Sequence, residues 1–249
     1  DQKRGLADVL NLDVYSTNPQ VQAFLDHIGR ARATGSFSVD AAALALPAIG
    51  FVAVTVTGWQ ADVRRLLRDH TPAELERHNA AVLRGAGIPT SSAWAFLRHD
   101  ALSPRHETVI THAVQELRGA EGLASVLDAA RTAKDEVGAL YQEQQAALLA
   151  AGGRGRFVRL ERTHHVVLAR HTDGRVVAYL PYDTVYLSKE LPSLLDALAK
   201  TRVAREATSR TLYVTGTVSD AAKKAALDRG FEVEAGYRPA PKEPKAARR

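Results

Sequence analysis

Apolar positions recur at helical spacing up to about Ala151 and at strand spacing beyond it. Asn18-Pro19 supplies an N-cap and a first-turn proline, and Val21, Phe24, Leu25 and Ile28 follow on one helical face. Thr71-Pro72-Ala73-Glu74 is a capping box, which predicts a helix ending near Gly85–Gly87. Ser103-Pro104 opens another helix with the stripe Val109, Ile110, Val114, Leu117, stopped by Gly119. From Gly122 to Ala151 the stripe is Leu123, Val126, Leu127, Ala130, Val137, Leu140, Tyr141 and Leu148. Gln142, Glu143, Gln144 and Gln145 read as its solvated face. Residues 1–17 carry no strong pattern.

The longest strongly apolar stretch is Ala41–Trp59, which carries no charged residue. Its length is near the ~20 residues a membrane span needs. Pro47, Gly50 and Gly58, two threonines and the lack of flanking basic residues argue against a span. Phe51–Thr57 is β-branched, but no partner strand lies nearby to pair its backbone. The reading adopted is a buried central helix, kinked around Pro47–Gly50, on which the N-terminal helices pack.

Gly152-Gly153-Arg154-Gly155 marks the boundary between the two patterns and reads as a linker. A phosphate loop would need the reverse order, strand then helix, and a Lys-Ser/Thr that is missing. Strands follow at Phe157–Leu160, Val166–Arg170 and Val176–Leu180, the last two joined by an Asp173-Gly174 turn. A helix over Leu191–Arg205, a strand at Thr211–Thr215, a helix from Ser219 to Arg229 and a strand at Phe231–Val233 come next. The last three form a βαβ unit. The fold class is therefore α+β. A mostly helical region, 1–151, is built around 41–59 and packs on a small mixed α/β domain, 156–237, with a β-hairpin and a C-terminal βαβ unit. Residues 238–249 read as a disordered basic tail.

Composition narrows the function. With 249 residues, 45% of them hydrophobic, a full core is available. No cysteine occurs, which excludes disulfides, thiolate metal sites and cysteine nucleophiles. The formal charge of +5 looks like a nucleic-acid signal, but +4 of it sits on Arg238–Arg249, where no aromatic residue is interleaved for base stacking. The lack of cysteine, with a first residue that is not Met, fits an exported protein, periplasmic or secreted; a cytoplasmic protein is the alternative.

Candidate chemistry is sparse. His164, His165 and His171 fall close together, but alternate faces of a strand and the distance along it keep them from sharing a metal. They read as exposed hairpin histidines. No H-E-x-x-H, G-x-S-x-G or S-x-x-K occurs in context, and Ser219 is explained as an N-cap. No metal and no cofactor is predicted. The polar, aromatic loop Pro181–Tyr186 is the best place for a ligand, with Tyr182, Asp183, Tyr186 and His165 as candidate ligand-binding residues. The function expected is a non-catalytic binding or interaction module, exported and envelope-associated, whose partner is another protein or an envelope component. A hydrolase-type enzyme with a His/carboxylate site between the two regions is the alternative. Nucleic-acid binding through the basic tail ranks third.

Overall fold

The computed structural model describes residues 7, 12–33, 60–153 and 156–239. The predicted central helix over 41–59 and the tail beyond 239 lie outside these residues. Among the described helices none is long and apolar enough to cross a membrane.

The helical part comprises α1 (Pro19–Ala33), α2 (Gln60–Asp69), α3 (Pro72–Gly85), α4 (Thr90–Leu97), α5 (Pro104–Glu116), α6 (Ala124–Ala130) and α7 (Glu136–Gly153). The predicted capping box at Thr71 forms, and the helix start at Ser103 makes a second. The Thr71 hydroxyl accepts from the Glu74 amide and the Ser103 hydroxyl from the His106 amide, while the third-position side chains reach back to the cap amides. The single helix expected over 122–151 is two, α6 and α7, broken between Ala130 and Glu136. Helix α4 was not predicted. Residues 13–17, silent as a pattern, are docked by side chains. Ser103 Oγ donates to Asp13 at 2.5 Å, Ser16 Oγ to Glu136 at 2.5 Å and Thr17 Oγ1 to Glu136 at 2.9 Å.

The second part contains β1 (Phe157–Thr163), β2 (Val166–His171), β3 (Val176–Leu180), β4 (Thr184–Val185), α8 (Leu191–Lys200), α9 (Arg202–Arg205), β5 (Arg210–Val214), β6 (Thr217–Val218), α10 (Asp220–Leu227) and β7 (Glu232–Glu234). The main sheet has order β1-β2-β3-β5-β7; β1, β2 and β3 are antiparallel neighbours, while β3-β5 and β5-β7 are parallel. The expected βαβ unit is therefore β5-α10-β7. The helix expected over 191–205 is cut at Thr201, whose hydroxyl caps α9.

Burial on both faces explains the unbroken apolar runs of β2 and β3. Val167, Ala169, Val177 and Tyr179 join the core made by α3 to α7. Val166, Leu168, Val176, Ala178 and Leu180 point the other way, to Leu195, Leu198, Val203 and Phe231 around α8, α9 and α10. The arrangement is three layers, helix–sheet–helix, and one hydrophobic cluster runs from the helical part onto the sheet.

The glycine-rich boundary behaves differently from a simple linker. Helix α7 runs through Gly152 and Gly153. A Cβ on Gly152 would fall on the Tyr179 hydroxyl, and one on Gly153 would fall on the Phe157 ring and lie 2.9 Å from Leu117. The helix accepts poor propensity there because only glycine lets the sheet approach. Gly152→Ala would gain about 1 kcal/mol in an isolated helix. In this protein it is expected to lose about 1–3 kcal/mol through overpacking, with part recovered in the Gly152→Ala/Tyr179→Phe double variant, as read by denaturant unfolding.

Candidate functional site

Strands β2 and β3 pair as far as Leu168 opposite Ala178. In that register the next rung would join Val167 to Tyr179. A side chain occupies it instead. The Val167 amide donates to Gln145 Oε1 at 3.2 Å, and Gln145 Nε2 donates to the Tyr179 carbonyl at 3.2 Å. The carboxamide supplies an acceptor and a donor, as a peptide group would, and so wedges α7 into the open end of the hairpin.

Gln145 Nε2 also donates to the Tyr141 hydroxyl at 3.1 Å. One turn earlier, Gln142 donates to the His165 carbonyl at 3.1 Å, and Glu143 meets Arg105 at 3.4 Å. Gln142, Glu143 and Gln145 are all buried. The expected wet face of α7 is thus corrected. Gln142 and Gln145 face the strand backbones, whose hydrogen bonds offset their desolvation, while Glu143 meets the arginine through Oε1 only and its Oε2 has no hydrogen-bond partner among the described residues.

Just past the wedge, the chain segments entering β2 and leaving β3 carry His165 and Tyr182. His164-His165 is the two-residue turn between β1 and β2, with His164 at φ 51°. Tyr182 follows Pro181 at the end of β3. Its backbone is fixed by the two residues after β5: the Gly216 amide and the Thr215 hydroxyl donate to its carbonyl at 2.9 and 3.2 Å. Beyond it the short parallel pair β4-β6 continues the contact. Gly216 passes so close to the Asp183 backbone that any side chain there would collide.

His165 Nε2 lies 2.8 Å from Tyr182 Oη. The Tyr141 ring sits edge-on to His165 at 5.3 Å and tilted over Tyr182 at 5.0 Å. The assignment that satisfies every partner runs in one direction. Gln145 donates to Tyr141, Tyr141 to Tyr182, and Tyr182 to His165 Nε2. His165 is then neutral, with its proton on Nδ1. Burial, with the neighbouring His164 adding repulsion, lowers the His165 pKa and agrees with this. Burial likewise raises Tyr141 and Tyr182, so both stay protonated.

The outer two members of this network, His165 and Tyr182, line a cleft of about 660 Å³. The start of α8 and the loop before it also line it, through Tyr186, Ser188, Leu191 and Leu194. The cleft lies at the carboxyl end of the parallel strands β3 and β5, where open α/β sheets commonly bind ligands. Of the four residues predicted from sequence, His165, Tyr182 and Tyr186 line it. Asp183 does not. It is exposed, and its carbonyl accepts from the Thr217 amide at 2.9 Å. His165 is half-buried rather than an exposed hairpin residue. Sequence reading missed Tyr141 and Gln145. Their signal was a tyrosine and a glutamine four apart on one helix, legible only once the strands beside them are known.

A second polar seam runs between α3 and α5. Asn79 donates to Thr108 at 3.1 Å, while Asn79 Oδ1 and Thr111 Oγ1 have no hydrogen-bond partner among the described residues. Glu107 is buried in it. Desolvation, then repulsion from Glu76, pushes its carboxyl up to about 8. At α5's start, Ser103 Oγ lies 3.0 Å from His106 Nδ1, a Ser–His contact that belongs to the helix cap. Among the described residues no group of three or more His, Cys, Asp or Glu is placed to hold a metal.

Two outcomes follow. Gln145→Leu strips both bonds of the surrogate rung and should cost about 2–4 kcal/mol. Unchanged unfolding midpoint and retained exchange protection at the Val167 amide would show that the strands close without it. Glu107 retains its proton when folded but loses it in the ordinary carboxylate range when unfolded, so its contribution becomes less favourable as pH rises through that window up to about 8. Glu107→Gln should therefore stabilise by roughly 1–3 kcal/mol at pH 7, with the gain vanishing near pH 4 in paired thermal melts. No protein-family profile matches the chain, and no match is found among the curated proteins or the solved structures, so the cleft's own geometry carries the functional reading.

Proposed function

We propose that this chain is a binding module whose ligand site is the His165–Tyr182 cleft. The observation that carries the reading is the buried donor chain ending on His165. A histidine held neutral and oriented by two tyrosines and a glutamine presents one N–H donor, from Nδ1, to an acceptor on a ligand. The cleft's volume falls within the range of small-molecule sites, and its lining mixes aromatic and aliphatic surface with a few hydroxyls. Lack of cysteine supports an exported, envelope-facing setting for such a module.

The hydrolase reading draws on one feature of the same cleft, Glu190, which lines it along with His164 and His165. His165 takes its hydrogen bond from a tyrosine, which suits positioning of an imidazole more than its activation by a carboxylate.

A fragment library of neutral, anionic and cationic compounds, screened against the full chain by ¹H–¹⁵N NMR, tests the proposal. Hits should shift the amides of His165, Tyr182, Tyr186 and Leu194 together, and His165→Ala should abolish those shifts. Hits that cluster elsewhere and leave these amides unmoved would overturn it. Turnover of an ester or amide that depends on His165 would replace it with the enzyme reading.

A further inference from the structure

The cleft's lining also restricts what it can hold. Its two formally charged residues, Lys189 and Glu190, are neighbours of opposite sign, so the cleft offers no net charge to an ion. Nor is it a plain apolar slot. Thr184, Ser188, Ser193, Tyr182 and Tyr186 bring five hydroxyls to it, each able to donate and to accept. Several are engaged by the protein: Ser188 Oγ accepts from the Leu191 amide at 3.3 Å, and Thr184 Oγ1 lies 3.3 Å from Thr217 Oγ1. Among the lining residues Tyr186 is 67% exposed, and its neighbour in sequence Leu187 is 49% exposed. Tyr186 has no ring partner among the described residues, whereas Tyr141, Tyr182 and His165 pack on one another. An aromatic face left open to water beside a rim of hydroxyls suits a ligand with an apolar C–H face and a hydroxyl edge.

We propose that the cleft takes a neutral, hydroxyl-rich ring, a saccharide unit, stacked on Tyr186 and hydrogen-bonded by His165 and the Ser/Thr rim. This rests on the reading of the cleft as the ligand site. The ring's C–H face covers the exposed tyrosine. A ring or hydroxyl oxygen accepts from the imidazole N–H, and hydroxyls exchange hydrogen bonds with Ser193.

The test is titration of the full chain with cellobiose, maltose and N,N′-diacetylchitobiose as neutral sugars, and with glucuronate and benzoate as anions, followed by ¹H–¹⁵N NMR. At least one neutral sugar should shift the cleft amides saturably, with both anions weaker by about tenfold or more. Tyr186 is exposed, so its variants should fold. Tyr186→Ala should weaken sugar binding about tenfold, and Tyr186→Phe should change it less than about threefold, since the stack needs the ring and not the hydroxyl. Benzoate or a charged fragment filling the cleft while the sugars leave it unmoved would overturn the saccharide assignment and leave the site standing. If no probe of any class moves the cleft amides, both readings fall.

Discussion

Gln145 is the point on which the two halves of this structure meet. Two antiparallel strands normally satisfy each other's backbone groups to the end of the ladder. Here a glutamine from the packed helix takes the last rung, bonding the Val167 amide and the Tyr179 carbonyl. A buried amide is costly unless its donors and acceptors are met. Gln145 has its oxygen and nitrogen both engaged, so the insertion is satisfied and fixes the height of α7 along the sheet. Because the strands cannot close there, the segments just beyond them stay apart, and His165 and Tyr182 meet through their side chains.

Close approach makes this contact possible. Gly152 and Gly153 remove the side chains that would hold α7 off the sheet, and Tyr179 and Phe157 fill the space. The consequence reaches both layers. Val167 and Tyr179 face the helical core while Val166 and Leu180 face α8 and its neighbours, so a shift of α7 would disturb two cores at once. The polar contacts of residues 13–17 with Ser103 and Glu136 tie the segment before α1 to the same helices.

The chemistry of the cleft follows from its position behind that wedge. Tyr141 is presented by α7, Tyr182 by the end of β3 and His165 by the turn before β2, so three separate elements fix one hydrogen-bonded line. Burial keeps both phenols protonated and disfavours the imidazolium. The polarity of the line is thereby set: donors run from the core outward and end on a histidine at the cleft. The loop before α8, by contrast, carries exposed residues, where Tyr186 and Leu187 face water.

The sequence determined the elements where local chemistry decides: the Thr71 capping box, the helix start at Ser103, the Asp173-Gly174 turn, the apolar strands and the βαβ unit. It singled out the loop Pro181–Tyr186, because an aromatic, polar segment after a buried strand is legible from composition; that His165, Tyr182 and Tyr186 line one cleft comes from the fold. It misjudged the Gln142–Gln145 run and the glycines after it. A glutamine reads as solvent-facing, and a glycine as a stop, unless one knows what lies opposite. Only tertiary structure supplies that knowledge, because the unpaired rung that Gln145 fills and the tyrosine that Gly152 admits come from strands distant in sequence. Single-residue propensities encode the local terms; the identity of the neighbour across the layer is a long-range term, and here it governs both the join between the layers and the site.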